Sequence, residues 1–230
     1  ADVRLDSGEE VVAHCPNPGA MTACATPGWR VGLSHHPDPK RKLKWTWQLV
    51  WGGEAADTPI LVNTALPNKI VGEALAAEVI EELRGYPSQR AEVRYGEGSR
   101  VDFLLQAPDR ADCYVEVKSV TLRVGELGAF PDSVTKRGAK HLKELIAMVE
   151  AGHRAVMLFL VGRRDVDRIR PASEIDPTYA AGLREAVDAG VEVLVRRAHI
   201  SAEAITVGEA LPLVASGTTM AEAAAGHMGA

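Results

Sequence analysis

Short runs of β character open the chain: Glu10 to His14, Trp29 to Ser34, Trp45 to Val50 and Ile60 to Asn63. Clusters such as Cys15 to Gly19 and Pro37 to Pro39 separate them, where Pro, Gly and Asp favour turns over ladder pairing. A small β-barrel or sandwich is expected there. The period then changes. Val71, Leu75, Val79 and Leu83 recur at helical spacing until Gly85 and Pro87, and Asn68 stands where an N-cap is expected.

Three strand candidates follow, Glu92 to Tyr95, Arg100 to Leu105 and Tyr114 to Leu122, joined by a Gly-rich turn and by Pro108-Asp109. A helix is predicted from Ser133 to Ala151. The apolar run Ala155 to Val161 then reads as a strand buried on both faces. Helix Thr178 to Ala189 and strand Val191 to Val195 complete the pattern, with Gly190 between them. The order describes an α/β (α+β) domain, a mixed sheet covered by helices. Residues 1–65 are expected to form the barrel, 66–214 the α/β domain, and 215–230, dominated by Ala, Gly, Ser and Thr, a flexible tail.

Composition narrows the function little. The 230 residues are 46% hydrophobic and 25% charged, an ordinary globular balance. No apolar run is long enough to cross a bilayer and the start lacks signal-peptide character, so a cytoplasmic protein without a membrane partner is expected. The cysteines Cys15, Cys24 and Cys113 are odd in number and widely spaced, which argues against a disulfide framework or a structural zinc. A net charge of -5 argues against a polycationic coat on nucleic acid, although a local basic patch still holds a phosphate backbone.

The chemistry concentrates in Ser99-Arg100-Val101-Asp102-Phe103 and Cys113-Tyr114-Val115-Glu116-Val117-Lys118-Ser119. Side chains alternate along a strand, so Glu116 and Lys118 share a face, with Val115 and Val117 on the other. A hairpin through Pro108-Asp109 would bring Asp102 alongside Glu116. Two carboxylates and a lysine suit metal-dependent phosphodiester hydrolysis: Asp102, Glu116 and the Val117 carbonyl offer hard oxygens to Mg²⁺ (or Mn²⁺), while Lys118 positions or helps deprotonate the attacking water. An isolated E-x-K on an exposed strand is ordinary surface. Here aliphatic residues flank each charge, and charges set among them normally need a partner or an ion.

The chain resembles the sugar fermentation stimulation protein family. The resemblance runs through His14-Cys15-Pro16-Asn17, Gly19-Ala20-Met21, Glu92 to Gly96, Ser99 to Phe103, Tyr114 to Leu122, Phe130-Pro131-Asp132, Thr135, Arg137-Gly138 and His141-Leu142. It implies an N-terminal OB-like β-barrel joined to a PD-(D/E)xK nuclease-like domain, with non-specific DNA binding and a link to regulation of sugar-utilisation genes. Family members usually carry further residues ahead of the segment matching Ala1, including a basic stretch, so this chain is expected to lack a first barrel strand and some DNA contacts.

Supporting residues follow. Nucleases of the implied fold often add a helix carboxylate to the metal, for which Glu73 is the candidate and Glu81 the runner-up, against a solvated carboxylate near a helix N-terminus. Arg137 and His141 open the helix after the strands and are expected to hold phosphate, whereas Lys136 and Lys140 read as surface. Lys40, Arg41 and Lys42 precede Trp45 and Trp47, the best nucleic-acid contact in the first region, with Trp47 as core. His14 and Cys15 lack an orienting third group for nucleophilic catalysis and are read as structural. The expected activity is DNA binding (or RNA) with Mg-dependent cleavage, and a homodimer is compatible with it. The alternatives are a non-catalytic DNA-binding regulator of sugar-utilisation genes, or an interaction module using the barrel.

Overall fold

The computed structural model describes residues 1–53, 57–96, 98–201 and 203–214. The tail expected over 215–230 lies outside them. The N-terminal region is a five-stranded sheet of β1 (Asp2–Arg4), β2 (Glu10–His14), β3 (Val31–His35), β4 (Trp45–Gly52) and β5 (Thr58–Leu61). The long β4 organises it: its first residues pair parallel with β2, its length antiparallel with β3, and its end antiparallel with β5. Trp47, Val50, Ile60 and Val62 fill the core there with Cys24. Trp47 is therefore core, and its indole N–H is satisfied by Leu49 O at 2.7 Å.

Helix α1 (Leu66–Ala76) leads into β6 (Ser88–Tyr95), β7 (Ser99–Ala107) and β8 (Arg110–Val120). Two short strands, β9 (Leu122–Val124) and β10 (Leu127–Phe130), precede helix α2 (Lys136–Glu150). Then come β11 (Arg154–Val161), β12 (Ile169–Pro171), helix α3 (Pro177–Asp188), β13 (Glu192–Ile200) and β14 (Ile205–Ala210). The main sheet has six strands in the order β14-β13-β11-β8-β7-β6, and β9, β10 and β12 form a small side sheet. β11 pairs parallel with both β8 and β13, which makes it the centre.

Alternate residues of β11 divide between two cores. Val156, Leu158 and Leu160 join Val71 and Leu75 of α1, while Met157, Phe159 and Val161 meet Leu142 and Leu145 of α2 and Tyr179 and Leu183 of α3. The near-continuous apolar run thus has the burial on both faces that its sequence predicts.

Three helix ends differ from expectation. Asn68 does not cap α1. The cap is Ala65, and Asn68 is the third helical residue, behind Pro67. The helix stops at Ala76 rather than running to Leu83: Glu78 turns to φ +52°, and Val79 N–H reaches back to Ala74 O at 2.9 Å. That is a Schellman ending with glutamate where glycine usually sits, and Val79 is left exposed beyond it. Helix α2 begins at Lys136, where the Thr135 hydroxyl accepts from Gly138 N–H at 2.9 Å. Asp176 ties the starts of α2 and α3, accepting from Thr135 N–H at 2.8 Å and from Tyr179 N–H at 2.9 Å.

Candidate active site

The main sheet is deformed around Asp102. On the β6 side, ladder pairs join Ala91 to Phe103 and Val93 to Val101 and omit Glu92, whose φ is +54°. On the β8 side, the ladder ends at Phe103 and Val115. The strand also rotates here: Val101 belongs to the core under α2 and α3, while Phe103, two residues on, belongs to the core under α1. Irregularities of this kind re-aim a side chain and end pairing. Past the split, Val117 N–H has no β7 carbonyl, and Asp102 Oδ2 accepts it at 2.7 Å. Asp102 Oδ1 accepts from Asn68 Nδ2 of α1 at 2.6 Å. Burial raises the Asp102 pKa above the ordinary carboxylate value, with the negative charge of Glu116 adding to it.

Glu116 and Lys118 do share a face of β8, the face under α2. Lys118 Nζ donates to Glu116 Oε1 at 2.5 Å, and His141 Nδ1 meets the same oxygen. Glu116 is 2% exposed. Its burial alone would raise its pKa, but the His141 hydrogen bond and the Lys118 charge outweigh that and leave it below the ordinary value. Its other oxygen, Oε2, is buried with no hydrogen-bond partner. A buried carboxylate oxygen left bare is costly unless a ligand takes it.

That oxygen and Asp102 fit a hard divalent cation. Among the described residues no three His, Cys, Asp or Glu side chains group as metal ligands. A cation would therefore take the two carboxylates and complete its shell from backbone carbonyl and water, as Mg²⁺ usually does. Asp102 retains lone pairs for this beside its two hydrogen bonds. A cleft of about 230 Å³ lies beside Asn68 and Lys118, the side chains hydrogen-bonded to Asp102 and Glu116; it is lined also by Val117 and Ser119, by Pro67 of α1, and by Asn17 and Gly19 from the N-terminal region. Asn17 holds that loop in place, donating to Val62 O at 3.0 Å and accepting from Gly19 N–H at 2.9 Å.

The remaining sequence candidates lie elsewhere. Glu73 is on the exposed face of α1, 3.8 Å from Lys69, and Glu81 is exposed beside Arg84 at 3.8 Å. Neither has a contact with Asp102 or Glu116; α1 presents Asn68 to Asp102 instead, because Val71, Ala74 and Leu75 set the buried stripe. His141, expected at a phosphate, is 3% exposed and turned onto Glu116, so it is withdrawn from the surface. Arg137 is exposed, with Nε donating to His141 Nε2 at 3.3 Å. Lys40 and Lys42 are exposed on the β3–β4 turn, whereas Arg41 is partly turned onto Thr46 Oγ1 at 3.3 Å.

Two residues near the site carried no sequence signal that was used. Glu144, three residues after His141, is buried, 3.5 Å from Lys140, and a Cβ on Gly96 would meet its Oε1 at 2.9 Å. The Tyr95 phenol is buried, and burial, followed by the charges of Glu116, Glu144 and Asp102, pushes its pKa up. The i, i+3 spacing of His141 and Glu144 within one helix was the available cue.

Two family models cover the chain. Residues 1–62 match the SfsA N-terminal OB domain and residues 65–204 the sugar fermentation stimulation protein RE domain. The chain belongs to the sugar fermentation stimulation protein family. A family homolog from Pseudoalteromonas atlantica is 53% identical over 214 residues, 93% of this chain and 91% of the relative. Another, from Dinoroseobacter shibae, is 54% identical over 210 residues, 90% and 85% of the two chains. A solved structure, described as Pyrococcus furiosus SfsA in complex with Ca²⁺, superposes with a TM-score of 0.79 at 27% identity, covering 90% of this chain and 87% of that one. The expected fold, an N-terminal OB-like domain followed by a mixed α/β domain, holds. No helix among the described residues is long and apolar enough to span a membrane.

Proposed function

We propose that this protein binds nucleic acid and hydrolyses phosphodiester bonds in a divalent-cation-dependent reaction of the PD-(D/E)xK type. The observation that carries the reading is the asymmetric loading of Glu116. One oxygen is saturated by Lys118 and His141, and the other is buried and bare in a carboxylate whose charge acts on Asp102. The Pyrococcus furiosus relative is described in complex with Ca²⁺, which supports binding of a divalent cation.

Asp102, Glu116 and the Val117 carbonyl would hold Mg²⁺ or Mn²⁺. When bound, the ion supplies Lewis-acid stabilisation of charge developing on the phosphate. Lys118, an ammonium held by Glu116 and only 15% exposed, donates a hydrogen bond at the cleft, where it orients the attacking water or a phosphate oxygen. Asn68 fixes the Asp102 carboxylate from α1. Lys40, Lys42 and Arg137 supply exposed cations for backbone phosphates, which would make affinity fall with salt. DNA is the favoured substrate, with RNA as the competing one.

The test is cleavage of end-labelled single- and double-stranded DNA and RNA with Mg²⁺ or Mn²⁺, comparing wild type with Glu116→Ala and Lys118→Ala. Loss of cleavage in both variants, with filter binding retained, is expected. A wild type that binds DNA but cuts no substrate with either metal would replace catalysis with a purely DNA-binding role.

A further inference from the structure

His141 lies between a surface cation and the buried carboxylate. Arg137 and His141 are four residues apart on α2 and so stack on one side of the helix. Arg137 Nε can only donate, and at 3.3 Å its acceptor is His141 Nε2. The ring proton therefore resides on Nδ1, which faces Glu116 Oε1. Lys118 Nζ is 3.5 Å from Nδ1, but both are donors, so the two groups converge on the carboxylate oxygen rather than bonding each other.

The depth of His141 is set by close helix packing. A Cβ on Gly138, one turn earlier, would come within 2.8 Å of the Thr135 side chain and 3.1 Å of the Tyr179 ring. Only glycine lets the first turn of α2 approach α3 this closely. Leu142 and Leu145, on the same buried stripe, then seat the helix against the sheet.

We infer that His141 is a positioning residue for Glu116, held in the Nδ1–H tautomer by Glu116 at Nδ1 and by Arg137 at Nε2. Two donors on Oε1 remove the rotational freedom of the carboxylate and hold Oε2 toward the cation. A histidine hydrogen-bonded to a metal-binding carboxylate acts as other outer-shell partners do, by fixing ligand orientation. The inference rests on the proposed cation site, and it extends that site from Asp102 and Glu116 outward through His141 to the exposed Arg137.

The test uses full-length protein without nucleic acid. Long-range ¹H–¹⁵N NMR of histidine-labelled protein reads the tautomer, and calorimetry reads Ca²⁺ affinity in wild type, His141→Phe, His141→Gln and Arg137→Ala. His141 is expected as the Nδ1–H form in wild type, and predominantly so in Arg137→Ala, where Glu116 still accepts at Nδ1. His141→Phe, which keeps bulk but removes the donor, should weaken Ca²⁺ binding about 10- to 100-fold, and His141→Gln, which restores an N–H, should recover part of it. An Nε2–H tautomer in wild type overturns the inference. So does Ca²⁺ affinity unchanged within about twofold in a folded His141→Phe, an outcome that leaves the cation site itself standing. Absence of Ca²⁺ binding by wild type removes both the cation site and the role inferred for His141.

Discussion

Asp102 takes the place of a missing strand partner for Val117: the ladder between β7 and β8 ends at Phe103 and Val115, and the Asp102 carboxylate accepts the Val117 amide at 2.7 Å. The same deformation that ends the ladder thus anchors the acid on the freed amide. Burial and Glu116 raise the pKa of that acid. A carboxyl whose folded pKa exceeds its unfolded one favours the fold while protonated, and this contribution is lost as pH rises through the folded value. At neutral pH in chelator, Asp102→Asn should therefore melt at or above the wild-type Tm, because its amide oxygen still accepts from Val117, Asn68 can turn its own carbonyl to the new N–H, and the half-buried charge is gone. Its advantage should vanish below the ordinary carboxylate range. Added Ca²⁺ should reverse the order, since a ligand at 100 times its Kd stabilises by about 2.7 kcal/mol and the variant has lost a ligand. Thermal melts with and without Ca²⁺ check this; parallel shifts of both proteins would remove Asp102 from the cation site.

Asn68 is the only side chain of α1 with a hydrogen bond to Asp102 among the described residues. Asn68→Ala leaves a half-buried carboxylate one donor short, and hydrogen bonds to charged groups contribute about 1.5–3 kcal/mol. A loss in that range is expected from urea denaturation at neutral pH. Asn68→Asp should lose more, because it sets two negative charges together. A loss below about 0.5 kcal/mol for Asn68→Ala would mean that solvent replaces the amide without penalty.

The central strands and the Glu116–Lys118 face were legible because period-2 alternation and an uninterrupted apolar run directly encode burial. Asn68 was misread because asparagine before an amphipathic stretch resembles a cap, while Pro67 one residue earlier, a first-turn residue, marks a helix already begun. The inward turn of His141 was not legible because its neighbours Lys136, Arg137 and Lys140 are exposed cations, and only tertiary packing turns the ring onto Glu116. The side-sheet strands β9, β10 and β12 have three or four residues each, too few to show a period. The distortion at Asp102 leaves no glycine or proline at Glu92 to announce it.

The early end of α1 follows the same logic, since Glu78 occupies a left-handed position without glycine's freedom. Left-handed backbone costs a residue bearing a Cβ roughly 1–2 kcal/mol, partly offset in glycine by the entropy of its unfolded state. Glu78→Gly loses only an exposed 3.2 Å contact with Gly85 N–H. A net gain of about 0.5–1 kcal/mol in urea denaturation is expected. A destabilised variant would mean that the Glu78 carboxylate contributes more than its backbone costs.

Glu73 separates a helix-borne metal ligand from a surface ion pair. With Lys69 it forms an exposed i, i+4 pair at 3.8 Å, a contact worth about 0.2–0.5 kcal/mol. Glu73→Ala should leave Ca²⁺ affinity and any cleavage rate within about twofold of wild type and stability within about 0.5 kcal/mol. A tenfold fall in Ca²⁺ affinity would bring Glu73 into the cation site.

Arg163 joins the two regions of the chain. Its backbone bridges Ile60, the adjacent Gly162 carbonyl accepts Leu61 N–H at 2.8 Å, and its guanidinium donates to Thr121 O at 2.7 Å and to both oxygens of Asp165 at 2.6 and 2.8 Å. Arg163 is 2% exposed. Burial alone would raise the Asp165 pKa, but Arg163 and then Arg123 outweigh it and hold the carboxyl below its ordinary value. Its stabilising contribution is therefore full above the unfolded carboxyl pKa, near about 3.9, and is lost as pH falls through the folded one. Arg163→Met leaves the half-buried Asp165 to Arg123, 3.2 Å away, and the loss of hydrogen bonds to a charged group is expected to cost about 1.5–3 kcal/mol. The gap between wild type and variant, read by urea denaturation across pH, should be widest at neutral pH and narrow in acid, and Arg163→Met with Asp165→Leu should recover much of it. A gap that stays constant down to strong acid would assign the loss to packing around Ile60 and Leu61 rather than to the ion pair.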